Sequence, residues 1–154
     1  MNKNCVIIPV LNEEKNISKI FNKIKRIKFK FDILFIEDNS SDNTKKIIKK
    51  ISKKHNFVKF IFRKNKKGIG SAHKDGIKWA YKKNYKKIIT MDADGTHDPK
   101  YIPIFLKKAE KFDIVITSRF KKKNSLSDWP FQRKFLTYIR FWITKLILSM
   151  DLDA

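Results

Sequence analysis

Short apolar runs rich in Ile, Val and Phe alternate along this chain with segments whose apolar residues recur three and four positions apart. The first pattern is that of a strand buried on both faces, the second that of a helix with one face on a core. Residues 5–10 form the first run. Asn12 then stands at a helix N-cap position, Glu13 and Glu14 suit the positive end of the helix dipole, and Ile17, Ile20, Phe21, Ile24 and Ile27 follow at helical spacing. Residues 32–37 repeat the strand through Ile33, Leu34, Phe35 and Ile36; the polar turn 38–44 follows, and Ile47, Ile48 and Ile51 mark a second helix. A third strand at 57–62 leads through a basic loop, 64–70, into a helix over 71–83 that presents Ala72, Trp79 and Ala80.

A fourth strand starts at Ile88 and ends in Asp92-Ala93-Asp94-Gly95-Thr96-His97-Asp98-Pro99, where Asp98-Pro99 reads as an N-cap with Pro at the first helical position. The helix that follows covers 101–111, with Pro103 tolerated in its first turn, and residues 113–117 read as a fifth strand. The lysine-rich stretch 121–124 and the polar residues 125–128 are expected to form a mobile loop. An amphipathic helix is expected within 131–150. Phe135, Leu136, Tyr138, Ile139, Trp142, Ile143, Leu146 and Ile147 make its wide apolar surface, with Arg133, Thr137, Arg140 and Ser149 opposite. Two readings stand for it: an in-plane helix at the bilayer interface, or a helix covering a core.

Strands alternating with helices at this spacing predict an α/β fold, Rossmann-like, with a mostly parallel sheet flanked by helices on both faces. The 154 residues suffice for one core and are read as a single domain, 1–154, expected to be incomplete at its C-terminal end because 151–154 bring neither a cap nor a closing strand. The formal net charge of +22 attracts phosphorylated substrates, anionic membrane surfaces and polyanions alike, and most individual lysines solvate helix faces. Cys5 is the only cysteine, which excludes an internal disulfide and a thiolate metal cluster and fits a reducing, cytoplasmic setting. The start of the chain lacks a signal-peptide pattern, and no stretch reaches the roughly 18 uncharged apolar residues of a membrane span.

The chemistry sits where strands end. In open α/β sheets ligands bind beyond the carboxyl ends of the strands, so Pro9-Val10-Leu11-Asn12-Glu13, Glu37-Asp38-Asn39-Ser40 and Asp92-Ala93-Asp94 are expected on one edge. Paired carboxylates repel, and Mg²⁺ or Mn²⁺ relieves that repulsion while sharing its shell with substrate phosphates. Alone, Asp-x-Asp is a weak signal, more often a solvated turn. The carboxylates of the first two loops suit a nucleotide's base and ribose, and guanidinium groups at Arg119 and Arg133 suit phosphates.

In order, Pro9-x-x-Asn12-Glu13, Glu37-Asp38-x-Ser40-x-Asp42-x-Thr44, Lys67-Gly68-x-Gly70, Asp92-Ala93-Asp94 and Ser118-Arg119-Phe120 resemble the family 2 inverting glycosyltransferases of GT-A fold. Within them, Trp129-Pro130-Phe131-x-Arg133 is similar to the dolichol-phosphate and polyprenol-phosphate mannosyltransferases. The resemblance implies transfer of a sugar, mannose from GDP-mannose, onto a membrane polyprenol or dolichyl phosphate with inversion. It implies that Pro9, Leu11, Glu13, Ile36 and Asp38 line the nucleotide pocket together with Asp92, Ala93, Asp94, Thr96 and Arg119. Asp92 and Asp94 would hold the Mg²⁺ or Mn²⁺ and the diphosphate, with Thr96 as a third metal contact; Arg119 and Arg133 would handle donor and acceptor phosphates, and Asp94, Arg119 and Arg133 would carry catalysis. The chain departs from the family in Glu37 for the first Asp of a pair, in Leu11 where an aromatic is common, and in Thr96 where some members place a Gln. The family's Ser-Gly-Phe segment has no counterpart before Ala154.

A phosphomonoester acceptor is largely anionic at neutral pH and needs no general base, so positioning and electrostatics suffice, and His97 is read as a support of the acidic loop. His55 and His73 receive no role. The partners expected are a nucleotide-sugar donor, a polyprenol phosphate and the anionic cytoplasmic face of a membrane, with peripheral contact. The alternatives are a family 2 transferase using UDP-glucose or another donor, or a glycan hydroxyl acceptor; an inactive donor-binding chain; and a basic nucleic-acid-binding module. The runs Lys28-Phe29-Lys30-Phe31 and Lys59-Phe60-Ile61-Phe62-Arg63-Lys64 encourage the last, and an Asp-rich crevice, which repels a polyanion, argues against it.

Overall fold

A computed structural model describes residues 3–65, 68–117 and 130–148, apart from the side chains of 133 and 148. The chain forms two compact units, Met1–Asp113 and Ile114–Ala154.

The first unit is built from β1 (Asn4–Val10), α1 (Glu14–Lys25), β2 (Asp32–Glu37), α2 (Thr44–Lys54), β3 (Val58–Phe62), α3 (Ile69–Lys82) and β4 (Lys87–Thr90), followed by a 3-10 turn at Pro99–Tyr101 and α4 (Ile102–Lys108). The strands lie in the order β3-β2-β1-β4 with every pairing parallel. Each parallel pair requires a crossover, which α1, α2 and α3 provide. Successive residues on β1 and β2 point to opposite faces, and both sets are buried. Val6, Ile8, Val10, Ile33 and Phe35 pack with Ile17, Ile20, Phe21 and Ile24 of α1, Ile48 of α2 and Ile102 and Leu106 of α4. On the other face Cys5, Ile7, Leu34 and Ile36 pack with Ala72 and Ala80 of α3 and with Tyr85. Burying Cys5, beside Asp32, pushes its thiol up to about 12, so it serves as a small apolar core residue.

The close approach of α3 depends on Gly76. A Cβ there would stand 2.6 Å from Cγ2 of Ile7 and 3.3 Å from Cγ1 of Ile36.

Three expectations from the sequence change. Asn12 is not the N-cap of α1; that position is Glu13, and Asn12 takes φ +56° with its side chain turned to the next loop. Residues 113–117 form no strand among the described residues. Ile114 and Ile116 are 81% and 66% exposed, and β-branched alternation yields a strand only where a neighbouring ladder receives it. The helix expected over 101–111 begins as the 3-10 turn, with Asp98 capping it by accepting from Lys100 N–H at 3.1 Å, and Pro103 lies in the first turn of α4. The expected loop 121–128 lies outside the described residues.

In the second unit, α5 (Phe131–Leu148) covers the segment expected to be helical. Phe131, Trp142, Leu146 and Ile147 are each more than 60% exposed. Among the described residues no helix is long and apolar enough to cross a membrane.

Candidate active site

Register decides which residues meet. Val10 pairs with Glu37 and Glu37 with Phe62, so the chain leaves β1, β2 and β3 at a common edge. The ladder runs on past the strand ends: Asp38 N–H donates to Val10 O at 3.0 Å, Arg63 N–H to Glu37 O at 2.9 Å and Met91 N–H to Ile7 O at 3.1 Å. A cleft of about 280 Å³ opens there, lined by Pro9, Val10, Leu11, Glu13, Asp38, Gly68, Ile69, Ala72, Asp92, Ala93 and Asp94. The three loops expected on one edge are thus together, in one compact unit.

The first two loops are locked by exchanged helix caps. Neither α1 nor α2 receives a side-chain hydrogen bond from its own N-cap residue. Glu13 N–H donates instead to Thr44 Oγ1 at 2.8 Å and Glu14 N–H to Asp42 Oδ2 at 3.1 Å. In return Asn43 N–H donates to Glu14 Oε2 at 2.9 Å. Asn12 N–H donates to Ser40 Oγ, and Asn12 Oδ1 accepts from Ser41 N–H, both at 2.9 Å. These polar motif residues therefore shape the wall, while Glu13, held by Asn16 Nδ2 at 2.7 Å, lines the cleft.

On the acidic loop, Gly95 takes φ +88° and the chain folds back. Thr96 donates to Asp94 Oδ1 through its amide at 2.9 Å and its hydroxyl at 2.7 Å. These bonds, the hydroxyl's first, outweigh desolvation and hold the Asp94 carboxyl below the usual carboxylate range. His97 Nδ1 accepts from Asp92 N–H at 3.0 Å, which leaves Nε2 to carry the proton of the neutral ring. The same Nδ1 stands 3.7 Å from Asp92 Oδ2, but a nitrogen already accepting an amide proton makes no ion pair. His97 thus supports the acidic loop.

Asp92 and Asp94 offer oxygen donors flanking one small residue in the cleft, the set a hard divalent cation takes. Among the described residues no three His, Cys, Asp or Glu side chains form a group that could hold a metal ion by themselves.

Other expected site residues lie elsewhere. The Ile36 side chain is fully buried in the core against α3, because the β2 alternation that aims Phe35 at one face aims Ile36 at the other. Arg119, with Ser118, Phe120, Lys67 and Trp129, lies outside the described residues; Arg133 is in α5, its side chain not described. One residue at the site went unmarked in the sequence. Arg63, 6% exposed, pairs through Nη1 with Asp38 Oδ1 at 2.8 Å. Its signal was position: an arginine immediately after β3 is brought alongside Asp38 by the Glu37–Phe62 register.

The model of the family described as Glycosyl transferase family 2 matches residues 5–152. The chain is 34% identical to the dolichol-phosphate mannosyltransferase of Pyrococcus furiosus over 154 residues, covering 98% of this chain and 43% of that protein. It is 30% identical to the polyprenol monophosphomannose synthase of Mycolicibacterium smegmatis, covering 90% and 55%. Identity to the undecaprenyl-phosphate mannosyltransferase of Micrococcus luteus is 27%, covering 95% and 60%. The chain thus spans about half the length of these curated relatives. Among solved structures it resembles residues 1–349 of S. aureus TarS in complex with UDP, with TM-score 0.56 and 22% identity over 79% of this chain and 40% of that one. That likeness is one of fold, and the fold is the GT-A arrangement implied by the sequence.

Proposed function

The chain belongs to glycosyl transferase family 2, and from that premise we propose that it moves mannose from GDP-mannose onto the phosphate of a membrane polyprenol, with inversion at the anomeric carbon. The observation that carries this reading is the meeting of Glu13, Asp38, Asp92 and Asp94 in one cleft at the carboxyl edge of a parallel sheet. The three mannosyltransferase relatives support the sugar and the lipid phosphate.

Glu13 and Asp38 present acceptors to the base and ribose of the donor from the two capped loops. Asp92 and Asp94 would hold Mg²⁺ or Mn²⁺, with Thr96 orienting Asp94. A bound divalent ion there supplies Lewis-acid stabilisation of the departing diphosphate. The acceptor phosphate brings its own anionic oxygen, so the chain's task is to hold two anions together, and Arg119 and Arg133 are assigned to it. No residue is required to remove a proton. The exposed apolar side chains of α5 lie in the plane of an anionic bilayer on its cytoplasmic face, where the polyprenol phosphate is met.

Calorimetric titration of GDP-mannose and UDP-glucose, with Mn²⁺ and with chelator, tests this in wild type and Asp94→Ala. The expected result is Mn²⁺-dependent binding of GDP-mannose that Asp94→Ala abolishes. Binding of UDP-glucose in its place would overturn the donor, and binding that survives Asp94→Ala or chelation would overturn the metal site.

A further inference from the structure

Arg63 is a charge taken out of water, and its surroundings are specific. Nη1 donates to Asp38 Oδ1 at 2.8 Å and to Gly68 O at 3.3 Å, and Nη2 donates to Ser71 Oγ. Nε stands 3.2 Å from Asp75 Oδ2, an ion pair without hydrogen-bond alignment. The guanidinium therefore joins the end of β2, the loop before α3 and the first two turns of α3. Gly68 is gripped from both sides, since its N–H donates to Asp38 Oδ2 at 2.9 Å while its carbonyl accepts from Arg63. With φ +84° it takes a backbone conformation that side chains resist, and it lines the cleft next to Asp38.

We propose that Arg63 is a positioning residue for donor binding: it fixes the Asp38 carboxylate and, through the same pair, pins Gly68, so that two walls of the cleft stand as one surface for a nucleoside diphosphate. This rests on the nucleotide-sugar reading given above. A planar fork serves four anchors at once, Asp38, Gly68, Ser71 and Asp75. A lysine at 63 keeps the charge opposite Asp38 but, as a point charge, does not also hold Gly68, Ser71 and Asp75. Burial of an ion pair alone contributes little net stability, whereas the directions of these bonds set geometry.

The test compares Arg63→Lys with wild type in three measurements: calorimetric titration of GDP and UDP with Mn²⁺, thermal unfolding, and exchange of the Gly68 amide followed by NMR. The expected result for Arg63→Lys is an unfolding midpoint close to wild type, GDP affinity about tenfold weaker and Gly68 exchange about tenfold faster, a change on the scale of a charge-assisted hydrogen bond. Unchanged affinity and exchange in Arg63→Lys overturn the assignment while leaving the donor reading intact. A wild-type chain that binds neither nucleotide overturns the donor reading and the assignment with it. Should Arg63→Lys not fold, Ser71→Ala removes one anchor and keeps both charges. About threefold weaker GDP binding then supports the assignment, and unchanged binding overturns it.

Discussion

Thr96 donates through both its amide and its hydroxyl to the same oxygen of Asp94, at 2.9 and 2.7 Å. With the hydroxyl bond as the largest cause, the Asp94 carboxyl is held below its ordinary value of 3.8. A carboxylate must be ionised to take a divalent cation. Since the folded value is depressed, Asp94 stays ionised down to a lower pH than a free carboxyl and loses that state only as pH falls through the depressed value. Thr96→Val keeps the shape and the amide bond but removes the hydroxyl. Its expected effect is to move the acid limb of Mn²⁺-dependent GDP binding to higher pH while leaving affinity at neutral pH within about twofold, as for a bond at an exposed site. Calorimetric titrations at a series of acidic pH values read this directly, and coincident acid limbs would contradict it.

Gly76→Ala sets a better helix former against a collision. The gain in helix propensity is about 1 kcal/mol, but the added methyl stands 2.6 Å from Cγ2 of a fully buried Ile7 in the centre of the sheet. Overpacking at such a site costs about 1–3 kcal/mol, so α3 or the β1 backbone must shift and the net expectation is destabilisation by up to about 2 kcal/mol. Urea unfolding measures it. Ile7→Val retains Cγ2, so it gives no rescue in the double variant.

The hydroxyl of Tyr85 donates to Asp32 Oδ2 at 2.6 Å, with Asp32 5% exposed at the opposite end of β2 from the cleft. Burial first, and then this bond, raise the phenol above its usual 10.0. A folded value above the unfolded one gives stability that is fully present below pH 10.0 and is lost as pH climbs beyond it. Tyr85→Phe is expected to cost about 1–2 kcal/mol at neutral pH. The gap from wild type then narrows in alkaline solution, as thermal melts across that range would show. A pH-independent gap would mean that packing, not the proton, carries the effect.

Much of the fold was legible because its signals are local. The apolar runs that became β1 and β2 are buried on both faces, and alternation with helices implies parallel pairing without reference to any partner. The edge shared by Glu13, Asp38, Asp92 and Asp94 followed from the topology of such sheets. What escaped the sequence depends on distant residues. Asn12 has the chemistry of an N-cap, yet the cap of α1 comes from residues about thirty positions later, so a local pattern pointed to the wrong acceptor. Residues 113–117 have strand propensity, which a strand needs but which does not supply a neighbour. Arg63 read only as part of the basic run 59–64, because nothing in its own segment shows that β3 lies beside β2, which leads into Asp38. Ile36 was placed in the pocket by resemblance, and the two-residue period of β2 sends its side chain to the core.

The exchanged caps of α1 and α2 carry a consequence for assembly. The amides of Glu13 and Glu14 find their side-chain acceptors only when Asp42 and Thr44 arrive, and Asn43 finds its own only when Glu14 is in place. A nascent chain that has emerged only as far as α1 therefore has a frayed helix start, however well its apolar stripe is formed. Thr44 N–H is bonded within its own turn, to Asp42 Oδ1 at 2.9 Å; the exchanged bonds form and break together, which ties the two walls of the cleft into one cooperative block in folding and in local unfolding.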